Sequence, residues 1–161
     1  MTQDDLINRK KFLNASNTLN NLFSFNAIPI INENDTIAVE EIRFGDNDNL
    51  SAQIVDLVQA DLLLILTNTD GLFTADPRKD QKAELIPVVK KIDNKIESLA
   101  GVNIDETSMG GMQTKVNAAK RAIKNGASVI IANGNKKGII ARVFSHESEG
   151  TIFIPQKITK K

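Results

Sequence analysis

The chain of 161 residues contains no cysteine, no tryptophan, no tyrosine and one histidine. Without cysteine, disulfides, thiolate metal sites and a thiol nucleophile are all excluded. The single histidine, His146, cannot build a multi-histidine metal cluster. Phenylalanine supplies every aromatic ring, so the stacking platforms that bind single-stranded nucleic acid are scarce.

The sequence also lacks net charge and long apolar runs. Twenty basic residues balance twenty acidic ones, which argues against nucleic acid or an anionic membrane as the partner. The longest apolar run, Leu62–Leu66, is far shorter than the roughly 18 residues that a membrane helix needs. The polar and acidic N-terminus is unlike a signal peptide. We therefore expect a cytoplasmic protein that binds neither nucleic acid nor membrane.

What the sequence does contain is an alternation of helix and strand patterns. Amphipathic spacing predicts a helix over Arg9–Phe25 and another over Leu50–Gln59, the latter with Leu50, Ile54, Leu57 and Val58 as its buried stripe. A third helix follows Gly110-Gly111, buries Met112, Val116, Ala119 and Ile123, and ends at Gly126.

Strands are predicted from short apolar or β-branched runs. Asp61–Thr67 is the clearest, because it is apolar on both faces, as in the middle of a parallel sheet. Weaker patterns predict a short helix at Asp93–Ala100, strands at Ala27–Ile31, Glu40–Phe44, Ser128–Ala132 and Gly150–Ile154, and a strand or an extended connection at Leu85–Ile92, while Gly138–Phe144 is ambiguous. The predicted fold is α/β, a largely parallel sheet flanked by helices.

The segment Met109-Gly110-Gly111-Met112-Gln113-Thr114-Lys115 is a candidate phosphate site. Glycines allow backbone N–H groups to approach a phosphate, and the helix N-terminus adds its dipole and unpaired donors. Lys115 could stabilise a transferring phosphoryl group as a point charge. The spacing is not that of a Walker motif, and an ordinary helix entry with a solvated lysine fits the same residues, so the motif alone leaves both interpretations open.

Two clusters mix carboxylates with amides, namely Asn32-Glu33-Asn34-Asp35 and Gly45-Asp46-Asn47-Asp48-Asn49. A small zwitterion needs this mixture of hydrogen-bond acceptors and donors, and carboxylates beside a phosphate site can help to hold Mg²⁺. Turn and capping chemistry is the alternative explanation. Because ligands of open α/β sheets bind beyond the carboxyl ends of the strands, we expect the polar loops to gather at one edge.

Three strings carry a resemblance to a known family: PIINENDTIAVEEIRFGDNDNLSA, LLILTNTDGLFTADPR and GGMQTK. In this order and spacing, from about Thr2 to Pro155, the chain resembles the glutamate 5-kinases of the amino acid kinase family. The resemblance implies transfer of the γ-phosphate of ATP to the side-chain carboxylate of L-glutamate with Mg²⁺, the first step of proline synthesis. It also implies the amino acid kinase fold, a homo-oligomer, and proline as a feedback inhibitor.

The resemblance assigns roles to individual residues of this chain. Asp35 and Asn47 would bind glutamate, with Asn32 and Asp46 beside them in the same strings. Thr67 and Asn68 would contact the nucleotide, although many members have Asp at the second position. Lys115 would stabilise the charge of the transferring phosphoryl group and Asp48 would organise the catalytic groups. The ATP loop would be formed by Met109, Gly110, Gly111, Met112, Gln113, Thr114 and Lys115; no metal ligand is assigned.

Parts of the family pattern are not found in this chain. The first strand, lysine and Gly-rich turn that bind the ATP phosphates are missing, as is a later Gly-Ala-rich turn with a serine. We therefore expect residues 1–155 to be the C-terminal portion of an amino acid kinase domain, followed by a basic tail at 156–161 and no RNA-modification-type PUA domain. We expect this chain alone to lack kinase activity and to expose an apolar patch.

Two alternatives to the glutamate 5-kinase hypothesis stay open. One is an inactive fragment that retains partial nucleotide or glutamate binding, or assembly with other chains. The other is a sibling kinase that phosphorylates a different carboxylate. A substrate panel separates the second from the leading hypothesis.

Overall fold

A computed structural model describes residues 8–32, 47–102, 111–145 and 147–155. The predicted strand Glu40–Phe44, four of the predicted site residues and His146 lie outside these ranges; the four are Asp35, Asp46, Met109 and Gly110. The described elements, in chain order, are α1 (Arg9–Ser24), α2 (Asn47–Val58), β1 (Leu62–Thr67), β2 (Val88–Val89), α3 (Asn94–Val102), α4 (Met112–Lys124), β3 (Ser128–Asn133), α5 (Ile139–Phe144) and β4 (Thr151–Phe153).

The four strands form one mixed sheet in the order β1-β3-β4-β2. β1 pairs with β3 in parallel from Leu62 opposite Ser128 to Thr67 opposite Asn133, and β2 pairs with β4 in parallel. β3 and β4 are antiparallel, so the sheet has one reversal at its centre. The predicted α/β class with a mainly parallel sheet and flanking helices is confirmed, and the antiparallel junction was not predicted.

The core lies between the sheet and the helices α2 and α4. Val116 and Ala119 of α4 pack there fully buried, together with Val129 and Ile131 of β3 and Phe153 of β4. The predicted buried face of α4 is confirmed, because Met112 is also buried and Ile123 packs against the same cluster. The helix ends as expected: Gly126 follows it with φ +94, a left-handed backbone conformation that glycine adopts without strain.

The predicted buried stripe of α2 was largely wrong. Ala52, Val55 and Leu57 are the buried residues of this helix, so only Leu57 was assigned correctly. The small side chain of Ala52 faces the core cluster that contains the alanines of α4, which allows the two helices to pack closely. Leu50, Ile54 and Val58 instead line an open groove of about 390 Å³ with Pro29 and Leu62.

Two further expectations differ from the structure. Residues 27–32 follow α1 without regular secondary structure, so the strand expected at Ala27–Ile31 is not found among the described residues. The segment Leu85–Ile92, predicted as a strand or an extended connection, contains only the two-residue strand β2 and an isolated bridge between Phe73 and Leu85. The region that was ambiguous forms the short helix α5. Among the described residues, none of the helices combines the length and apolarity needed to cross a bilayer.

Candidate functional site

The topology places the N-termini of α2 and α4 at the same edge of the sheet. A short turn at residues 59–61 joins α2 to β1, and a similar turn at residues 125–127 joins α4 to β3. Because each helix packs on its sheet and leads back into a strand, it runs opposite to that strand. The helix N-termini therefore lie at the carboxyl edge of β1 and β3, where α/β proteins bind ligands.

Asp48 and Lys115 meet at this junction. Lys115 Nζ donates to Asp48 Oδ2 at 2.9 Å, and the two side chains are only 12% and 15% exposed. Asp48 lies in the first turn of α2 and Lys115 in the first turn of α4, so residues 67 positions apart form one ion pair. Positive helix ends beside a shielded lysine favour an anionic ligand, and Asp48 balances that charge in the free protein.

Thr114 joins the same pair. Its hydroxyl lies 2.8 Å from Asp48 Oδ2 and 2.8 Å from the carbonyl oxygen of Gly111. On the opposite side, the Ser51 hydroxyl donates to the backbone carbonyl of Asp48 at 2.7 Å. Asp48 is therefore fixed both through its backbone and through its carboxylate.

The other described residues of the predicted ATP loop face away from Asp48. Met112 is buried in the core, and Gln113 Nε2 donates along the helix to Asn117 Oδ1 at 3.2 Å. Gly111 precedes α4 in an extended conformation, and a Cβ built on it would meet no atom within 4 Å. With respect to the described residues, the space beside Gly111 leaves its backbone open to a ligand, so its main-chain groups and Lys115 are the parts of this loop best placed for contact.

Thr67 and Asn68 lie at the carboxyl end of β1, as predicted. The carbonyl oxygen of Thr67 accepts a hydrogen bond from Gly134 N at 2.8 Å, and its hydroxyl donates to Asn68 Oδ1 at 3.3 Å. Asn47 begins α2 next to Asp48, and Asn32 ends the extended segment after α1. Their proposed contacts with ligands stay predictions.

A second polar cluster at this edge was missed by sequence reasoning. Asp70 Oδ1 accepts from Asn133 Nδ2 at 2.9 Å and lies 3.3 Å from Lys136 Nζ, which also contacts Glu149 at 3.1 Å. The Asn133 hydrogen bond, followed by Lys136, lowers the pKa of Asp70, and the Glu149 hydrogen bond, followed by Asp70, raises the pKa of Lys136. The cluster ties the loop after β1 to the turn after β3. The Asp70-Gly71 turn was visible in the sequence, but its partners lie more than sixty positions away.

Solved structures share this architecture. An isopentenyl phosphate kinase structure covers 84% of this chain and 49% of its own, with a TM-score of 0.62 and 18% identity. A structure of isopentenyl phosphate kinase from T. acidophilum gives a TM-score of 0.57 at 16% identity over 85% of this chain and 52% of its own. Uridylate kinase from Archaeoglobus fulgidus gives 0.52 at 18% identity over 70% and 48%. At identities this low, the similarity shows only the fold. The protein is an α/β protein with the fold of these kinases.

The family follows from the sequence. Residues 1–133 match the amino acid kinase family model, and the chain belongs to that family. β4 extends the same sheet beyond residue 133, between β3 and β2, so the folded unit reaches past the matched region.

Curated relatives confirm the resemblance carried by the three strings. A glutamate 5-kinase of Trichlorobacter lovleyi is 50% identical over 155 residues, which are 96% of this chain and 41% of the relative. One from Nitrosospira multiformis is 50% identical over 159 residues, 99% of this chain and 43% of the relative. The chain thus spans about two fifths of the length of the curated relatives it matches.

Proposed function

We propose that this chain carries the phosphoryl-transfer part of an ATP-dependent glutamate 5-kinase. The observation that carries the proposal is the shielded ion pair between Lys115 and Asp48 at two converging helix N-termini. The chain that contains this ion pair is itself about 50% identical to curated glutamate 5-kinases. Cytoplasmic location, a homo-oligomeric state and inhibition by proline belong to this proposal as well.

The proposed phosphoryl transfer mainly requires that negative charge is neutralised and that the two substrates are correctly positioned. An oxygen of the glutamate side-chain carboxylate attacks the γ-phosphorus of ATP, the bond to the bridging oxygen breaks, and ADP leaves with that electron pair. The attacking carboxylate is already ionised, so no general base is required. Two anions must approach each other, and Lys115, with the N–H groups that begin α4, offsets their repulsion.

Mg²⁺ fits this site as an ion that arrives with the nucleotide. Within the described ranges, no group of three or more acidic or histidine side chains is arranged to hold a metal by itself. Mg²⁺ in kinases is commonly held by one or two carboxylates together with phosphate oxygens, and Asp48 supplies one carboxylate at this edge. When bound, the ion would supply further neutralisation of phosphate charge. Asn47 and the predicted partners Asn32, Asp35 and Asp46 would orient the glutamate.

Ligand binding without turnover is the second candidate function. Ile28 and Ile30 are 90% and 97% exposed on the extended segment after α1, next to Pro29 of the groove beside β1. Apolar side chains this exposed are typical of surfaces that other protein covers. Such a surface favours a chain that completes its site only together with further protein.

Trapping γ-glutamyl phosphate with hydroxylamine tests the proposal. Purified chain is mixed with ATP, Mg²⁺ and glutamate, and hydroxamate formation is compared with that of Lys115→Met and Lys124→Met. Both lysines lie on α4, but Lys124 is in its last turn, so it is the matched control. Any turnover that the unmodified chain shows should fall about 10²- to 10³-fold in Lys115→Met and should be retained in Lys124→Met.

Three results decide between the candidates. Equal loss in both variants would overturn the role of Lys115. Nucleotide or glutamate binding by the unmodified chain without hydroxamate would favour the second candidate. Faster turnover of aspartate than of glutamate would identify a sibling kinase with another carboxylate substrate.

A further inference from the structure

Thr114 occupies an unusual position between two hydrogen-bond acceptors. Its Oγ1 lies 2.8 Å from Asp48 Oδ2 and 2.8 Å from the Gly111 carbonyl oxygen. A threonine hydroxyl carries a single proton, and neither a carboxylate nor a carbonyl can donate one. Only one of these two contacts can therefore be a full hydrogen bond at any time.

The proton is better placed on the Asp48 side. The Gly111 carbonyl already accepts from the backbone N–H of Thr114 at 3.1 Å, so it has a partner without the hydroxyl. Asp48 Oδ2 is also the oxygen that pairs with Lys115 Nζ at 2.9 Å. A hydrogen bond to a charged acceptor is about twice as strong as one to a neutral acceptor.

We propose that Thr114 is a positioning residue that orients Asp48, and through it Lys115, instead of binding the nucleotide with its side chain. A lysine on a four-carbon stem is a weak anchor for a carboxylate, because both side chains can rotate together. Thr114 and Lys115 converge on the same oxygen, Oδ2, from adjacent positions of α4. The hydroxyl is on a short side chain held by its helix, so it restricts the position of Oδ2, the same oxygen that Lys115 contacts. The inference rests on the proposed function for its catalytic consequence.

Two substitutions separate positioning from nucleotide contact. Thr114→Val keeps the branched shape and removes the hydroxyl, whereas Thr114→Ser keeps the hydroxyl. We expect Thr114→Val to lower kcat about tenfold with KM for ATP changed by less than about twofold, because the lost contact acts through Asp48. Thr114→Ser should recover most of the lost kcat. A raised KM for ATP at unchanged kcat would overturn the proposal, since it would mean a direct nucleotide contact.

A double-mutant cycle tests the same contact without any turnover. Urea unfolding is measured for the unmodified chain, Thr114→Val, Asp48→Asn and the double variant. We expect the two changes to be non-additive by roughly three- to tenfold in the unfolding equilibrium constant, as for residues in direct contact. Additive effects would overturn the proposal. Non-additivity in a chain that makes no γ-glutamyl phosphate would leave Thr114 oriented on Asp48 as proposed, and would count against turnover by this chain and not against the Thr114 contact.

Discussion

Replacing Gly150 by alanine should damage the centre of the sheet. Gly150 precedes β4 with φ +76, and a Cβ at this position would lie 2.2 Å from the carbonyl oxygen of Ile131 and 3.0 Å from Ala132 Cβ. The Ile131 oxygen belongs to the backbone of β3 and cannot rotate away as a flexible side chain would. Relief of the overlap therefore requires β4 to move away from β3, at the place where Ile131 is paired with Thr151.

The cost of this substitution has two parts. The left-handed backbone costs a non-glycine residue about 1 to 2 kcal/mol. Overpacking against a rigid neighbour adds about 1 to 3 kcal/mol, because Thr151 and Phe153 of β4 are fully buried. We expect a loss of about 3 kcal/mol in the free energy of unfolding, a large share of the roughly 5 to 15 kcal/mol that stabilises a typical domain.

Gly138→Ala is the matched control. Gly138 has a similar φ of +71, but a Cβ there would meet no atom within 4 Å, so only the backbone term of about 1 kcal/mol applies. With a urea m-value of about 2 kcal/mol/M, the midpoint should fall by about 1.5 M for Gly150→Ala and about 0.5 M for Gly138→Ala. Equal midpoints for the two variants would refute the clash as the cause.

Two further predictions concern the missed polar cluster and the exposed segment after α1. The partners of Asp70 lower its pKa, so its ionised form stabilises the folded protein at pH values above its unfolded-state pKa of about 3.9. This stabilisation is lost as the pH falls through the lower pKa of the folded state. Asp70→Asn should cost about 0.5 kcal/mol at pH 7, since the side chain is 41% exposed, and the gap should close below pH 4 in urea unfolding; a gap that persists there contradicts the argument. The double change Ile28→Ser and Ile30→Ser should reduce self-association in sedimentation velocity at about 100 µM while shifting stability by less than about 0.5 kcal/mol. Unchanged self-association of the double variant would show that Ile28 and Ile30 are not part of the surface through which the chains associate.

Sequence periodicity predicted α4 well because several local signals agreed. Its buried face repeats every three or four residues, and Gly126 provides the left-handed turn that ends it. Periodicity failed for α2, where a small residue, Ala52, is buried against α4 and larger ones line the groove. The extent of β2 was overestimated because its length depends on pairing with β4, about sixty residues further along the chain.

The sequence predicted individual residues of the candidate site but not the contacts between them. Asp48 and Lys115 were each selected from local motifs, and the structure pairs them. The Thr114 contact with Asp48 depends on how α2 packs on α4, and no local pattern reports that distance. The Asp70, Asn133 and Lys136 cluster was missed for the same reason, since it requires the register between β1 and β3.

The central place of β4 has a consequence for how the protein is made. β2 is synthesised before its partner β4, with β3 between them in the chain, whereas β1 and β3 can pair before β4 appears. At about 5 to 20 residues per second, roughly sixty residues separate the two events by about 3 to 12 seconds. In the last part of that interval, between the synthesis of β3 and that of β4, the nascent sheet has an open edge at β3 and lacks the Phe153 ring that later fills the core. Synthesis of β4 therefore sets when the described sheet can close and how long its incomplete form is exposed to chaperones and proteases.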